Sequence, residues 1–166
     1  MDFKNLFTNE DQKKKMNWGE AAGLWDITRY KLAGMGLIEI FLQQAQDPEL
    51  KQSLNLGVEM VIIPHVERIQ KFINSEELEV PAIPPRQNLD KRKTEPNTLI
   101  NDNEIAQIIR ENIRYGLLLD IRAFAYSFRH DVRNLINDIL NDDIKTYHQT
   151  IELHSSKNWL MPPGTV

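Results

Sequence analysis

Glu39, His65, Asp120 and Asp143 are the residues of this chain whose types and positions could do chemistry. Each interrupts an otherwise apolar run of helical period. Ionisable groups on such a face persist only when they are paired, hydrogen-bonded or bound to a metal. Glu59 stands on the flank of the run that carries His65, beside Ile62 and Val66 on the helical wheel. One carboxylate from each of four helices, at one depth, is the donor set of carboxylate-bridged di-metal centres. The ion such a set would take is divalent: iron, manganese or zinc.

The second half of that signature is missing. Di-metal bundles place a histidine three residues after the carboxylate on two helices, because that spacing presents both ligands on one face. Here Glu59 is followed at that spacing by Ile62, and Asp143 by Thr146. His148 falls off the seam of its helix, and His154 lies three turns beyond Asp143. Glu39, Glu59, His65, Asp120 and Asp143 are therefore read as a degenerate metal set. A structural polar network is the weightier reading, with His65 bonded to a carbonyl freed by Pro64 or to Glu39. Asp120 would then pair with Arg122, Arg129 or Tyr147. No resident cofactor and no catalytic residue is expected.

Four helices must position these groups. Asn17 with Glu20 three residues on forms a capping box, and helix one is expected over 18–46 on the seam Ala21, Trp25, Thr28, Leu32, Met35, Glu39, Leu42. Asp47-Pro48-Glu49 is a start signal, and helix two should run over 48–74 through Leu54, Val58, Val61, His65, Ile69 and Phe72. Pro64 lies inside it and predicts a kink near Met60–Pro64, pointing away from the seam. Asn101 or Asp102 caps helix three (102–129), with Ala106, Ile109, Ile113, Gly116, Asp120, Phe124 and Ser127 inward. Helix four (132–157) buries Val132, Ile136, Ile139, Asp143, Thr146 or Tyr147, Thr150 and His154. Residues 75–101, punctuated by four prolines, read as a long crossover, and 1–16 as a tail. The pattern is an all-α, antiparallel four-helix bundle in residues 17–163, two hairpins joined by a crossover. Counted from the turns, Glu39, Glu59, Asp120 and Asp143 reach similar depths, within about 6 Å at the helical rise.

Composition narrows the function classes. The chain has 166 residues with a net charge of −4, which disfavours nucleic acid as a partner because phosphate neutralisation needs a basic surface. The runs Lys13–Lys15 and Lys91–Lys93 read as solvated surface. There is no cysteine, so disulfides and thiolate metal sites are excluded, in keeping with a reducing cytoplasm. No stretch is long and apolar enough for a bilayer, and Met1–Lys15 is too charged for a signal peptide. No serine–histidine–acid motif, phosphate loop or metalloprotease helix occurs. Helix one is apolar around most of its circumference (Leu24, Ile27, Leu37, Ile38 and Phe41 beside the seam). That predicts a homodimer or cover by the crossover. Trp18, Trp25, Tyr30 and Phe41 read as core and inter-subunit packing.

Asp102-Asn103-Glu104-Ile105, Tyr115-Gly116, Asp120-Ile121-Arg122-Ala123, Arg129-His130-Asp131-Val132 and the ending Trp159-Leu160-Met161-Pro162-Pro163 carry a resemblance. With the hairpins and the crossover, they resemble uncharacterised ferritin-like bundles of spore-forming bacilli, similar in style to coat F type spore coat proteins. The resemblance implies the fold, a sporulation or coat role with coat or other protein partners, and no enzymatic residues. Three functions follow as expectations: a non-enzymatic structural or interaction bundle, a ferritin-like metal or small-ligand binder, and an adaptor using the basic stretch Arg86–Lys93.

Overall fold

Asn17 opens the first helix as expected. Its side chain accepts from Glu20 N–H while the Glu20 carboxylate accepts from Asn17 N–H, the reciprocal pair of a capping box. The computed structural model describes residues 15–79, 81 and 99–160. The tail before Lys15, most of the crossover with its Arg86–Lys93 stretch, and Pro162-Pro163 lie outside those residues.

The helices are α1 (Trp18–Gln44), α2 (Pro48–Leu56), α3 (Ile63–Ser75), α4 (Asp102–Ala125) and α5 (His130–Ser156). A π-helical segment, Gly57–Ile62, joins α2 to α3, so the two form one rod and the bundle has four. No strand occurs among the described residues. The disturbance expected from Pro64 takes the form of this segment. Proline offers no N–H to the Met60 carbonyl, and Ile63 N–H turns instead to Val58, five residues back. His65, Val66 and Ile69 stay buried beyond it, so the core face survives. The third helix stops at Ala125, four residues short of the expected end, and the fourth starts at His130.

Around the bundle α1 packs on α3 and α4, α4 packs on α5, and α2 with the π segment packs on both α1 and α5. One end of the core gathers Leu24, Ile27, Ile69, Ile73, Ala123 and Val132. The other gathers Ile38, Phe41, Leu50, Leu54, Ile105 and Ala106, closed by Trp159. Gly23 lets α1 approach α4 closely, since a Cβ there would lie 2.9 Å from that of Ala123.

Each end is tied by a polar lock. Asp102 accepts from Gln46 N–H at 2.7 Å and Asp47 N–H at 2.9 Å, while Asn101 caps α4. Lys157 adds ion pairs to Asp47 (2.8 Å) and Glu49 (3.0 Å). At the far end Arg129 grips Glu76 through two bonds, at 2.7 and 2.9 Å, and also meets Asp131.

The seam of α1 is rotated from the expected one. Thr28, Leu32 and Met35 of the expected seam are buried and are joined from one side by Leu24, Ile27, Lys31, Ile38 and Phe41, whereas Trp25 is 41% and Trp18 is 91% exposed. An unbroken heptad drifts against a straight helix of 3.6 residues per turn. Over 27 residues that drift carries Trp25 and Glu39 to the flank. The described ends of the crossover sit at opposite ends of α1: Leu78 shares a groove with Trp18 and Trp25, and Leu99 N–H reaches Gln44.

Candidate functional site

The central layer is built from one ionisable residue on each rod, but the member from α1 is Lys31. Its ammonium lies 2.6 Å from Asp143 Oδ2, and both side chains are under a tenth exposed. His65 on α3 approaches the same carboxylate, Nδ1 to Oδ1, at 3.5 Å. Its Nε2 lies 3.4 Å from Asp142, which also meets Lys145. Asp120 on α4 faces Asp143 from the remaining side. Asp120, His65 and Asp143 thus come together. Glu39 does not join them: it is half-buried and stands eight residues along α1 from Lys31, about 12 Å at the helical rise. Glu59 is exposed on the π segment. Arg129, one of the expected partners of Asp120, is engaged elsewhere, held by Glu76 and Asp131.

Charge follows burial. Burial first, and the Asp143 charge second, push the Asp120 carboxyl up to about 8 against the opposing pull of Lys31. Asp120 therefore holds its proton at neutral pH and can donate it to Asp143. Burial, then Lys31, hold the His65 imidazole below its ordinary value, while Asp143 and Asp142 pull the other way. With Asp120 and His65 both driven toward their neutral forms, Lys31 and Asp143 are left as the ion pair at the centre of the layer.

That arrangement supplies its own cation. The ferritin-like pattern implies a divalent ion, and the donor set can be tested against it. Among the described residues no three histidine, aspartate or glutamate side chains are grouped to hold a metal. A divalent ion beside Asp143 would also stand next to the Lys31 ammonium, so these residues do not fit a di-metal centre. Two buried atoms in the layer lack a hydrogen-bond partner, Asp120 Oδ2 and His65 Nδ1.

Above the Lys31–Asp143 pair lies a cavity of about 90 Å³. Its walls are largely apolar, with Ile38, Leu54, Ile62 and Ile109 among them, and Gly34 and Gly57 leave its sides open. Tyr30 closes one edge. Its hydroxyl is held by the carbonyl and side-chain oxygens of Asn112, and its ring sits against Gly116. Burial and the nearby Asp143 charge push the Tyr30 phenol up to about 12, so it remains a donor.

Sequence reasoning missed two residues. Lys31 is a long cation on a helix that looked apolar all round. The available signal was that Lys31 is one helical turn from both Ile27 and Met35, on the side the heptad assigned to solvent. Glu20 was read as half of a capping box. It is 1% exposed, and its second oxygen accepts from Phe128 and Arg129 N–H at 2.8 and 2.7 Å.

The Asp120 carboxyl predicts a pH dependence. Its folded value lies above its unfolded one, so the folded state keeps a proton that the unfolded chain has lost between about pH 4 and pH 8. The stability it contributes is complete below about pH 4 and declines as pH rises through that window. Asp120→Asn keeps a neutral donor at the site. Urea midpoints measured across pH should fall less steeply toward pH 8 in the variant, which should be the more stable protein there. Equal slopes would show that Asp120 is ionised in the folded state. His65, depressed by burial, adds the opposite slope below its ordinary value in both proteins.

Comparison with known proteins agrees with this architecture. The crystal structure of a candidate spore coat protein from Bacillus halodurans C-125 superposes with a TM-score of 0.82 at 19% identity, over 93% of this chain and 98% of that one. A conserved hypothetical protein from Mycobacterium tuberculosis gives 0.66 at 9% identity, over 83% of this chain and 98% of that one. At such identities the likeness is one of fold. The uncharacterised protein YvdQ of Bacillus subtilis (strain 168) is 22% identical over 162 residues, 95% of this chain and 93% of that protein. Residues 4–166 match the family described as "Protein of unknown function (DUF3231)", and the chain belongs to that family.

Proposed function

We propose that this chain is a non-enzymatic structural or interaction bundle of a spore-forming bacterium, associated with sporulation or the spore coat. The observation that carries the reading is the Lys31–Asp143 pair: the acids at the bundle centre meet a cation from the chain itself, as a structural network requires. The fold shared with the Bacillus halodurans candidate coat protein supports the coat assignment. The test is to follow a tagged chain through sporulation of its host. Signal should concentrate on the forming spore and persist in the coat extract. A signal that stays dispersed in vegetative cells would overturn the coat role.

A second reading, a small-ligand binder of ferritin-like shape, rests on the cavity beside Lys31 and Tyr30. Metal analysis of protein purified without chelator separates the structural reading from a metal binder. We expect no stoichiometric iron, manganese or zinc. Stoichiometric metal lost in Glu39 or His65 variants would sink the structural reading.

A further inference from the structure

α4 carries a second seam, opposite the one it buries. Its core face is Ile105, Ala106, Gly116, Asp120 and Ala123. On the outer side Ile108, Glu111, Tyr115, Leu118, Arg122 and Ala125 are all exposed. The stripe borders α1, where the Tyr115 ring lies 5.5 Å from that of Tyr30 and Arg122 shares a groove with Asp26. Tyr115 is 55% and Leu118 is 59% accessible. Exposed apolar residues scattered singly need no explanation, but Ile108, Tyr115, Leu118 and Ala125 fall with Glu111 and Arg122 in one series spaced alternately by three and four. That is the spacing of a coiled-coil seam, and it confines them to one narrow stripe.

The stripe is complementary to itself. A two-fold axis between Gly116 and Leu117 pairs two copies of α4 antiparallel. It brings Tyr115 opposite Leu118, Glu111 opposite Arg122, and Ile108 opposite Ala125. Each pair occurs twice, as an isologous interface requires. The polar layers are of opposite sign, and the apolar layers meet apolar ones. Arg122 has no ion-pair partner among the described residues, whereas Glu111 already orients toward Arg110 and Arg114 on its own helix. The Glu111 carboxylate of a second copy would supply Arg122 with a counter-charge. A parallel pairing would instead set Glu111 against Glu111 and Arg122 against Arg122.

We propose that the outward face of α4 is a homodimer interface in which a second copy of this chain docks antiparallel, in the register that joins Glu111 to Arg122. The homodimer expected from the apolar character of helix one is thereby assigned to a different helix.

Sedimentation equilibrium of the full chain, over a wide concentration series, tests the proposal. The wild type should show a monomer–dimer equilibrium. Glu111→Arg and Arg122→Glu, each placing like charges opposite one another, should each weaken it about tenfold or more. The double variant restores opposite charges in the same register and should recover most of the loss. Leu118→Glu, at the centre of the seam, should leave a monomer. These side chains are exposed, so unchanged thermal midpoints at low concentration establish that every variant folds. A wild type that stays monomeric throughout overturns the proposal. So does a dimer indifferent to the single charge reversals, or one that the double variant fails to restore.

Discussion

Replacing Lys31 with methionine should lower stability by about 3–5 kcal/mol, the penalty typical of stripping one partner from a buried ion pair. Methionine keeps most of the apolar stem and loses the ammonium. The Asp143 carboxylate is then left among Asp120 and His65 with no cation beside it. Denaturant unfolding of Lys31→Met, Asp143→Leu and the double variant forms the cycle that isolates the pair. The double variant should recover much of the loss, because a buried pair replaced by apolar groups of similar size is often neutral or better. A loss in Lys31→Met below about 1 kcal/mol, the worth of an exposed pair, would mean that the ammonium reaches water and the layer is not closed.

Glu20→Ala should be comparably damaging, though for a different reason. The Glu20 carboxylate accepts three backbone N–H groups: Asn17 at the start of α1, and Phe128 and Arg129 in the turn between α4 and α5. It therefore stitches one bundle end across more than a hundred residues of sequence. With alanine those three donors lose their acceptor, each at about 1–3 kcal/mol where water cannot replace it. Water reaches part of this exposed turn, which holds the total to roughly 3–5 kcal/mol, the lower half of the sum. Glu20→Gln keeps one acceptor oxygen and should lose about half as much. Hydrogen exchange locates the effect: protection should fall first at Phe128 and Arg129 amides, while α2 keeps its own. A loss confined to the first turn of α1 would reduce Glu20 to an ordinary cap.

The two substitutions bracket what the layer and the lock each do. Lys31 sets the charge balance of the bundle centre, and Glu20 sets how the second hairpin meets the first. Arg129 reinforces that junction by joining Glu76 at the end of α3 to Asp131 at the start of α5, over the face of Phe72. Neither residue touches the outward face of α4. The dimer proposal and the stability predictions can therefore fail independently.

Local chemistry was legible because it depends on neighbours in sequence. Asn17, Asp47 and Asn101 each cap a helix through contacts within three residues, so the capping signals located three helix starts. The seam of α5 was legible except at Thr146 or Tyr147, which are only half-buried. Val132, Ile136, Ile139, Asp143, Thr150 and His154 are its buried residues, because a helix with one apolar stripe admits only one orientation. The rotation of α1 was not legible, since a helix apolar nearly all round fits its surroundings at several angles. Only contact with α3 and α4 chose the angle, turning Leu24 and Ile38 inward and leaving Trp25 and Glu39 on the flank.

That choice decided the chemistry. From sequence alone Asp120, Asp143 and His65 fell on inward seams and the histidine spacing was missing, but Glu39 and Glu59, not His65, were set at the depth of the two aspartates. The tertiary structure decided what meets those acids. Rotating α1 removed Glu39 and delivered Lys31, because a cation's long side chain can cross a core that its backbone only borders. A set of residues that looked like a place for a metal became a layer that carries its own positive charge.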